Sequence, residues 1–166
     1  VEIVSGVGDE GEIYSSSRIR KLIADGNVRR ASYDLGRAYG FDARVVHGSG
    51  RGHELSYPTA NFVPRLDSQL LPCPGVYFAR GMLEGMWLYG MANLGTRPTF
   101  GEELFVMEIH FFDGEVEDLY GKVFEIQFLE RIRDEKKFES PERLVKQLNL
   151  DKAYCVERID VYKEEK

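Results

Sequence analysis

From Phe41 onward the apolar positions gather into short runs rich in β-branched and aromatic residues: Phe41 to His47, Val76 to Met82, Trp87 to Ala92, Leu104 to Phe112 and Lys122 to Phe128. In the last of these, Phe124, Ile126 and Phe128 alternate with polar neighbours, the period of a strand with one solvated face. Turn-forming stretches separate the runs: Pro72-Cys73-Pro74-Gly75, Gly95-Thr96-Arg97-Pro98 and Asp118-Leu119-Tyr120-Gly121. Short strands at such spacing predict a mainly β protein built on a closed or nearly closed antiparallel barrel.

The two ends of the chain follow a different period. Glu2-Ile3-Val4 reads as the end of a strand, and Ser15-Ser16-Ser17 precedes Ile19, Leu22 and Ile23 at helical spacing, with Gly26 as the stop. A second short helix is expected over Val28 to Leu35, ending at Gly36. Near the other end, Ser140 followed by Pro141 predicts a capped helix start, with Leu144, Val145 and Leu148 on one face. A last helical run is expected over Lys152 to Lys163.

Composition narrows the class. The 166 residues suit one domain plus an appendage, and 43% hydrophobic with 30% charged residues describes a globular chain rather than a disordered one. No apolar run approaches the roughly 20 residues of a membrane helix, and the acidic N-terminal stretch lacks the pattern of a signal peptide, so the expected location is the cytoplasm. Two distant cysteines and three histidines without ligand spacing predict neither a disulfide framework nor a zinc site. The net charge of −6 argues against a sequence-independent nucleic-acid binder. It leaves room for a phosphorylated ligand in a local positive pocket, for which Arg51, Arg97 and Lys122 are available.

One stretch carries the chemistry most openly. In His47-Gly48-Ser49-Gly50-Arg51-Gly52, glycines at alternate positions let backbone N–H groups approach an anion, and an arginine adds charge. Ser56-Tyr57-Pro58-Thr59-Ala60-Asn61 follows. In an extended segment Thr59 and Asn61 point the same way, and their hydroxyl and amide oxygens suit Mg²⁺ held against phosphates. No Gly-x-x-x-x-Gly-Lys-Ser/Thr run is present, so any nucleotide is held by something other than a P-loop. Glu108 lies in the strand-like run Phe105 to Phe112, where a carboxylate is less solvated than on a surface and suits a proton acceptor.

A glycine loop ending in Arg-Gly and leading into Pro-Thr-Ala-Asn resembles the riboflavin kinase module of the bacterial bifunctional riboflavin kinase and FAD synthetase. The resemblance continues through Asn93-Leu94-Gly95-Thr96-Arg97-Pro98-Thr99-Phe100, Glu108-Ile109-His110 and Leu119-Tyr120-Gly121. It closes with Phe128-Leu129-Glu130-Arg131-Ile132-Arg133-Asp134-Glu135-Lys136-Lys137-Phe138, in the family's order and over roughly Leu35 to Leu150. It implies a six-stranded Greek-key barrel with a C-terminal helix, and transfer of the γ-phosphoryl group of ATP to the ribityl 5′-hydroxyl of riboflavin, giving FMN and ADP with Mg²⁺.

By the same resemblance Glu108 is the base, and Thr59 and Asn61 hold metal and phosphate. Gly48, Gly50, Arg51 and Gly52 form a flap over the nucleotide, and Asn93, Thr96 and Arg97 line its side. Arg133, Tyr120 and Phe138 meet the flavin, whose flat ring needs apolar faces and a few edge donors. Residues 1–35 correspond to the tail of an adenylyltransferase domain and 36–166 to the kinase domain. The His-x-Gly-His element of such nucleotidyltransferases is missing, so this fragment is not expected to make FAD. Two departures stand out: Tyr57 replaces the usual phenylalanine, and the acidic loop after Phe111 is longer than usual.

Each residue also has an ordinary structural reading. The glycines suit a hairpin loop without ligand, Thr59 and Asn61 suit a Pro-initiated turn, and Glu108 suits the solvent face of a strand beside His110. Ser15 suits a surface helix cap, and Arg131 to Lys137 suit a solvated one. A non-catalytic module that binds a flavin or nucleotide is the alternative function, and salt-dependent retention on nucleic acid would favour a third.

Overall fold

In a computed structural model, which describes residues 8–9, 12–48, 55–98, 103–113 and 119–164, the β runs close into a ring. A two-residue pair, β1 (Gly8–Asp9) and β2 (Glu12–Ile13), precedes helices α1 (Ser16–Ala24) and α2 (Val28–Leu35). The barrel strands are β3 (Tyr39–Val46), β4 (Ala60–Pro64), β5 (Gly75–Leu83), β6 (Met86–Pro98), β7 (Glu103–Phe111) and β8 (Val123–Arg133). Helices α3 (Pro141–Val156) and α4 (Ile159–Glu164) complete the chain. The strands are joined in the order β3-β4-β7-β6-β5-β8, with β8 pairing back onto β3 and every pair antiparallel. Closure gives each of the six barrel strands a partner on both sides.

Alternation produces two apolar layers. Inward positions, among them Phe41, Ala43, Phe62, Tyr77, Ile109, Phe124, Ile126 and Phe128, fill the barrel. The opposite face of the same strands contributes Phe78, Tyr89, Met91 and Leu129 to a second cluster, sealed by Cys155 of α3 and Tyr162 of α4. Thus one part of the outer face is not solvated but roofed by the C-terminal helices. The site described below lies at the edge of that roof.

The helices begin and end where their residues dictate. Ser15 accepts a hydrogen bond from the Arg18 N–H, and Gly36 closes α2 at φ 70°, a left-handed conformation that glycine adopts without strain. The serine is therefore used as a helix cap, its ordinary reading, and Arg18 is paired with Asp34 at 2.9 Å. Ile23, Val28 and Ala31 are buried in the same core as the barrel, so these two helices are integral to its packing. Ser140 likewise caps α3, accepting from the Arg143 N–H, with Pro141 at the first helical position.

Three boundaries and one strand differ from expectation. Strand β6 runs on through Gly95-Thr96-Arg97-Pro98, read above as a turn, because each of these residues pairs with β7. Strand β8 extends to Arg133, past the expected end at Phe128. The C-terminal run expected from Lys152 is divided otherwise: α3 continues to Val156, and the break falls at 157–158. Strand β4 is the ring member that the apolar pattern did not count, since Ala60, Asn61 and Phe62 are all buried and show no alternation.

Candidate active site

The barrel's register assembles the site. Asn61 on β4 pairs with Glu108 on β7, Glu108 with Asn93 on β6, Asn93 with Val76 on β5, and Val76 with Arg133 on β8. Directly opposed residues of antiparallel strands share a face, so these five, from distant parts of the sequence, form one row across the outer side of the barrel. Register shifts in the β5–β8 pairing, at Val76/Tyr77 and Phe78/Ala79, bring Arg133 to the end of this row.

Glu108 stands between Asn61 and Asn93. The Thr59 hydroxyl donates to Glu108 Oε2 at 3.2 Å, and the buried Asn61 adjoins it through the strand pairing. Thr59 thus reaches the carboxylate directly, and Asn61 lies beside Glu108 in the strand pairing. A Cβ on Gly48 would overlap the Asn61 carboxamide, so only glycine lets the chain leaving β3 pass so close.

Beside the row lies a cavity of about 310 Å³, within the range of small-ligand pockets. Thr59, Asn93, Glu108 and Arg133 line it with Lys136 and Glu135 as further charged groups. Its apolar wall comes from Leu55, Met91 and Phe138 and from Leu144 and Leu148 of α3. The lining is mostly apolar with a few convergent polar groups, the usual composition of a site for a small organic ligand.

Arg133 is fixed rather than loose. It is the last residue of β8, not part of the following segment, and its guanidinium bonds the Asp151 carboxylate of α3 at 2.8–3.2 Å. Asp151 also accepts from the Gln147 side chain at 2.8 Å. The Arg133 guanidinium lies 5.8 Å from the centre of the Phe138 ring. This bidentate pair pins α3, and with it Leu144 and Leu148, against the end of the row.

Other expected residues are placed elsewhere or lie beyond what is described. Tyr120 is exposed and stacks on His47, ring centres 3.4 Å apart, and neither ring lines the cavity. Thr96 is exposed on β6, with alternation turning it to the face opposite Asn93. The backbone of Arg97 pairs with Leu104, its side chain lying outside the described set. Gly50, Arg51 and Gly52 lie outside the described residues, as does the acidic loop from 114 to 118. Among the described residues there is no cluster of three His, Cys, Asp or Glu able to hold a metal ion.

Several members of the site are tied to it by contacts that the sequence does not show. The Tyr57 hydroxyl donates to the Asn149 side chain of α3 at 2.6 Å, which gives the unusual tyrosine its partner. Leu144 and Leu148 were legible as an apolar helix face but not as a cavity wall. Asp151 was not singled out, because a buried carboxylate in a helix is recognisable only through the arginine it meets.

A family model described as Flavokinase: Riboflavin kinase matches residues 35–159. The bifunctional riboflavin kinase/FMN adenylyltransferase of Haemophilus influenzae is 36% identical over 138 residues, covering 82% of this chain and 44% of that protein. Its counterpart in Bacillus subtilis is 34% identical over 157 residues, covering 93% of this chain and 49% of that protein. A solved structure described as a macrolide-efflux protein from Streptococcus pneumoniae superposes with a TM-score of 0.83 at 40% identity, over 90% of this chain and 49% of that one. The chain spans about half the length of the curated relatives it matches. With three quarters of its length matched in this way, the chain belongs to the riboflavin kinase family.

Proposed function

We propose that this chain transfers the γ-phosphoryl group of ATP to the 5′-hydroxyl of riboflavin, releasing FMN and ADP. The observation that carries the reading is the row Asn61–Glu108–Asn93 beside a mostly apolar cavity closed by α3. Phosphoryl transfer to an alcohol requires oriented phosphates and a base at the attacking hydroxyl, and the protein's part is positioning and electrostatics. Glu108 takes the hydroxyl proton as the bond to phosphorus forms. Its carboxylate is held in one orientation by the Thr59 hydroxyl. The isoalloxazine ring lies along Met91, Leu144 and Leu148, with Arg133 and Phe138 at its edge.

Thr59 and Asn61 fit a magnesium ion. Both offer oxygen, the donor type Mg²⁺ prefers, next to a carboxylate and to a glycine whose missing side chain opens the approach. Bound there with ATP, the ion would neutralise charge on the phosphates. Gly48, Gly50, Arg51 and Gly52 cover the nucleotide, and Asn93 and Arg97 meet it, whereas Thr96, on the opposite face of β6, does not join them. Tyr120 belongs to that side too, because its partner His47 directly precedes the glycine loop. Residues 1–35 are the end of an adenylyltransferase domain carried by the full-length protein, and the kinase domain is 36–166. The cytoplasm, where ATP and riboflavin meet, is the proposed location. No helix among the described residues is long and apolar enough to cross a membrane.

The test is ADP release by the purified chain with ATP and Mg²⁺. Release that requires riboflavin supports the kinase. Riboflavin that binds and quenches without ADP release supports a module that only holds ligand.

A further inference from the structure

We infer that His110 is a positioning residue for the transfer proposed above: by holding the Pro58 carbonyl it sets the Thr59 hydroxyl against Glu108. The inference rests on that reading of Glu108 and Thr59, and its geometry can be tested apart from it.

His110 stands two residues beyond Glu108 on the same face of β7, under the roof formed by α3, and is only 7% exposed. Its Nδ1 lies 2.8 Å from the Pro58 carbonyl oxygen. A carbonyl oxygen only accepts, so Nδ1 must carry the hydrogen. Nε2 is buried and has no hydrogen-bond partner among the described residues. Burial, aided by Lys152, pushes the imidazole pKa below 6.5 against the opposing pull of the Pro58 carbonyl, so the ring is neutral near pH 7. A neutral ring in this tautomer has one bond to make, and it makes it to the Pro58 carbonyl.

That bond acts on Thr59 through the peptide plane. The carbonyl of Pro58 and the N–H of Thr59 belong to one rigid unit, so fixing the oxygen fixes the plane from which the Thr59 side chain departs. Proline has no N–H, which leaves this carbonyl as its sole backbone hydrogen-bonding group. The segment is held at three successive residues: Tyr57 by Asn149 of α3 at 2.6 Å, Pro58 by His110, and Thr59 by Glu108 at 3.2 Å. The Tyr57 ring also packs on the imidazole, centres 4.9 Å apart. His110 is the middle pin, between the Tyr57 bond to α3 and the Thr59 hydroxyl beside the base.

Three measurements on the full chain test this. Nitrogen-15 spectra of the parent should show the Nδ1–H tautomer, and the Nε2–H tautomer would overturn the inference even if no variant folds. Amide exchange at Thr59 should quicken by about tenfold in His110→Phe, which keeps a ring and removes the donor, and should return toward parent in His110→Asn, which restores one. Unchanged exchange at Thr59 would overturn it whatever the turnover. In assays with riboflavin, His110→Phe should lower kcat by about tenfold and raise the Mg²⁺ concentration for half-maximal rate, leaving the riboflavin KM within about twofold. His110 also lines the cavity, so a rise in riboflavin KM alone would assign it to ligand contact and overturn positioning. A parent chain without turnover would defeat the kinase reading, while the tautomer and exchange data would still decide the inference.

Discussion

Replacing Glu108 by Gln is expected to lower FMN formation by roughly a hundred- to ten-thousandfold, the usual contribution of a positioned proton acceptor. The change preserves the shape of the side chain and its place between Asn61 and Asn93, and it keeps an oxygen able to accept from Thr59. What it removes is the capacity to take a proton. The loss should therefore fall on kcat, with ATP binding measured calorimetrically staying near the parent value. A variant with parental turnover would show that the hydroxyl is deprotonated elsewhere, and weakened ATP binding alone would recast Glu108 as a nucleotide ligand.

The second large effect concerns Asp151. Its side chain is 3% exposed and that of Arg133 is 13% exposed, so each neutralises a charge that water barely reaches. Asp151→Ala leaves the Arg133 guanidinium without its partner and also strands the Gln147 amide. Breaking one side of a buried pair costs about 3–5 kcal/mol, which for a chain of this size lowers the melting temperature by roughly 10 °C. Riboflavin KM should rise as well, because α3 carries Leu144 and Leu148 into the cavity wall. Replacing Arg133 and Asp151 together by Met and Leu should recover most of the stability but not the riboflavin affinity. Equal losses of stability in the single and double variants would mean that the pair does not act as a unit.

The barrel was legible because its runs are short, rich in β-branched and aromatic residues, and bounded by turn residues. Phe124, Ile126 and Phe128 point inward just as their alternation requires. Boundaries were less legible where a turn-like composition sits inside a paired strand, as at Gly95 to Pro98: there the hydrogen bonds to β7 override local preference. The β5–β8 register shifts were invisible for a related reason. They turn Glu130 outward to Tyr154 and Tyr162, each at 2.8 Å, and a carboxylate in an aromatic-rich strand does not reveal that two hydroxyls await it.

The chemistry of the row was readable as residue types and not as a place. Thr59, Asn61 and Glu108 stood out by kind, spacing and resemblance, but their meeting depends on β4 lying next to β7, a pairing of strands far apart in the chain. Asn93 and Arg133 join them only through two further registers. Tyr120 illustrates the reverse: an aromatic of suitable type for a flavin that stacks instead on His47. In the sequence His110 stands out as the end of the Glu108-Ile109-His110 block and as a neighbour of Glu108 at the same parity, but not as a partner of Pro58, since that bond spans 52 positions.

The central claim is that this row and its cavity make a phosphoryl-transfer site for riboflavin. It is tested most directly by incubating the purified chain with riboflavin, ATP and Mg²⁺ and weighing the flavin product by mass spectrometry. The expected product is riboflavin carrying one added phosphoryl group at its 5′-oxygen, formed in step with ADP. Recovery of unmodified riboflavin from a chain that binds both ligands would contradict the claim.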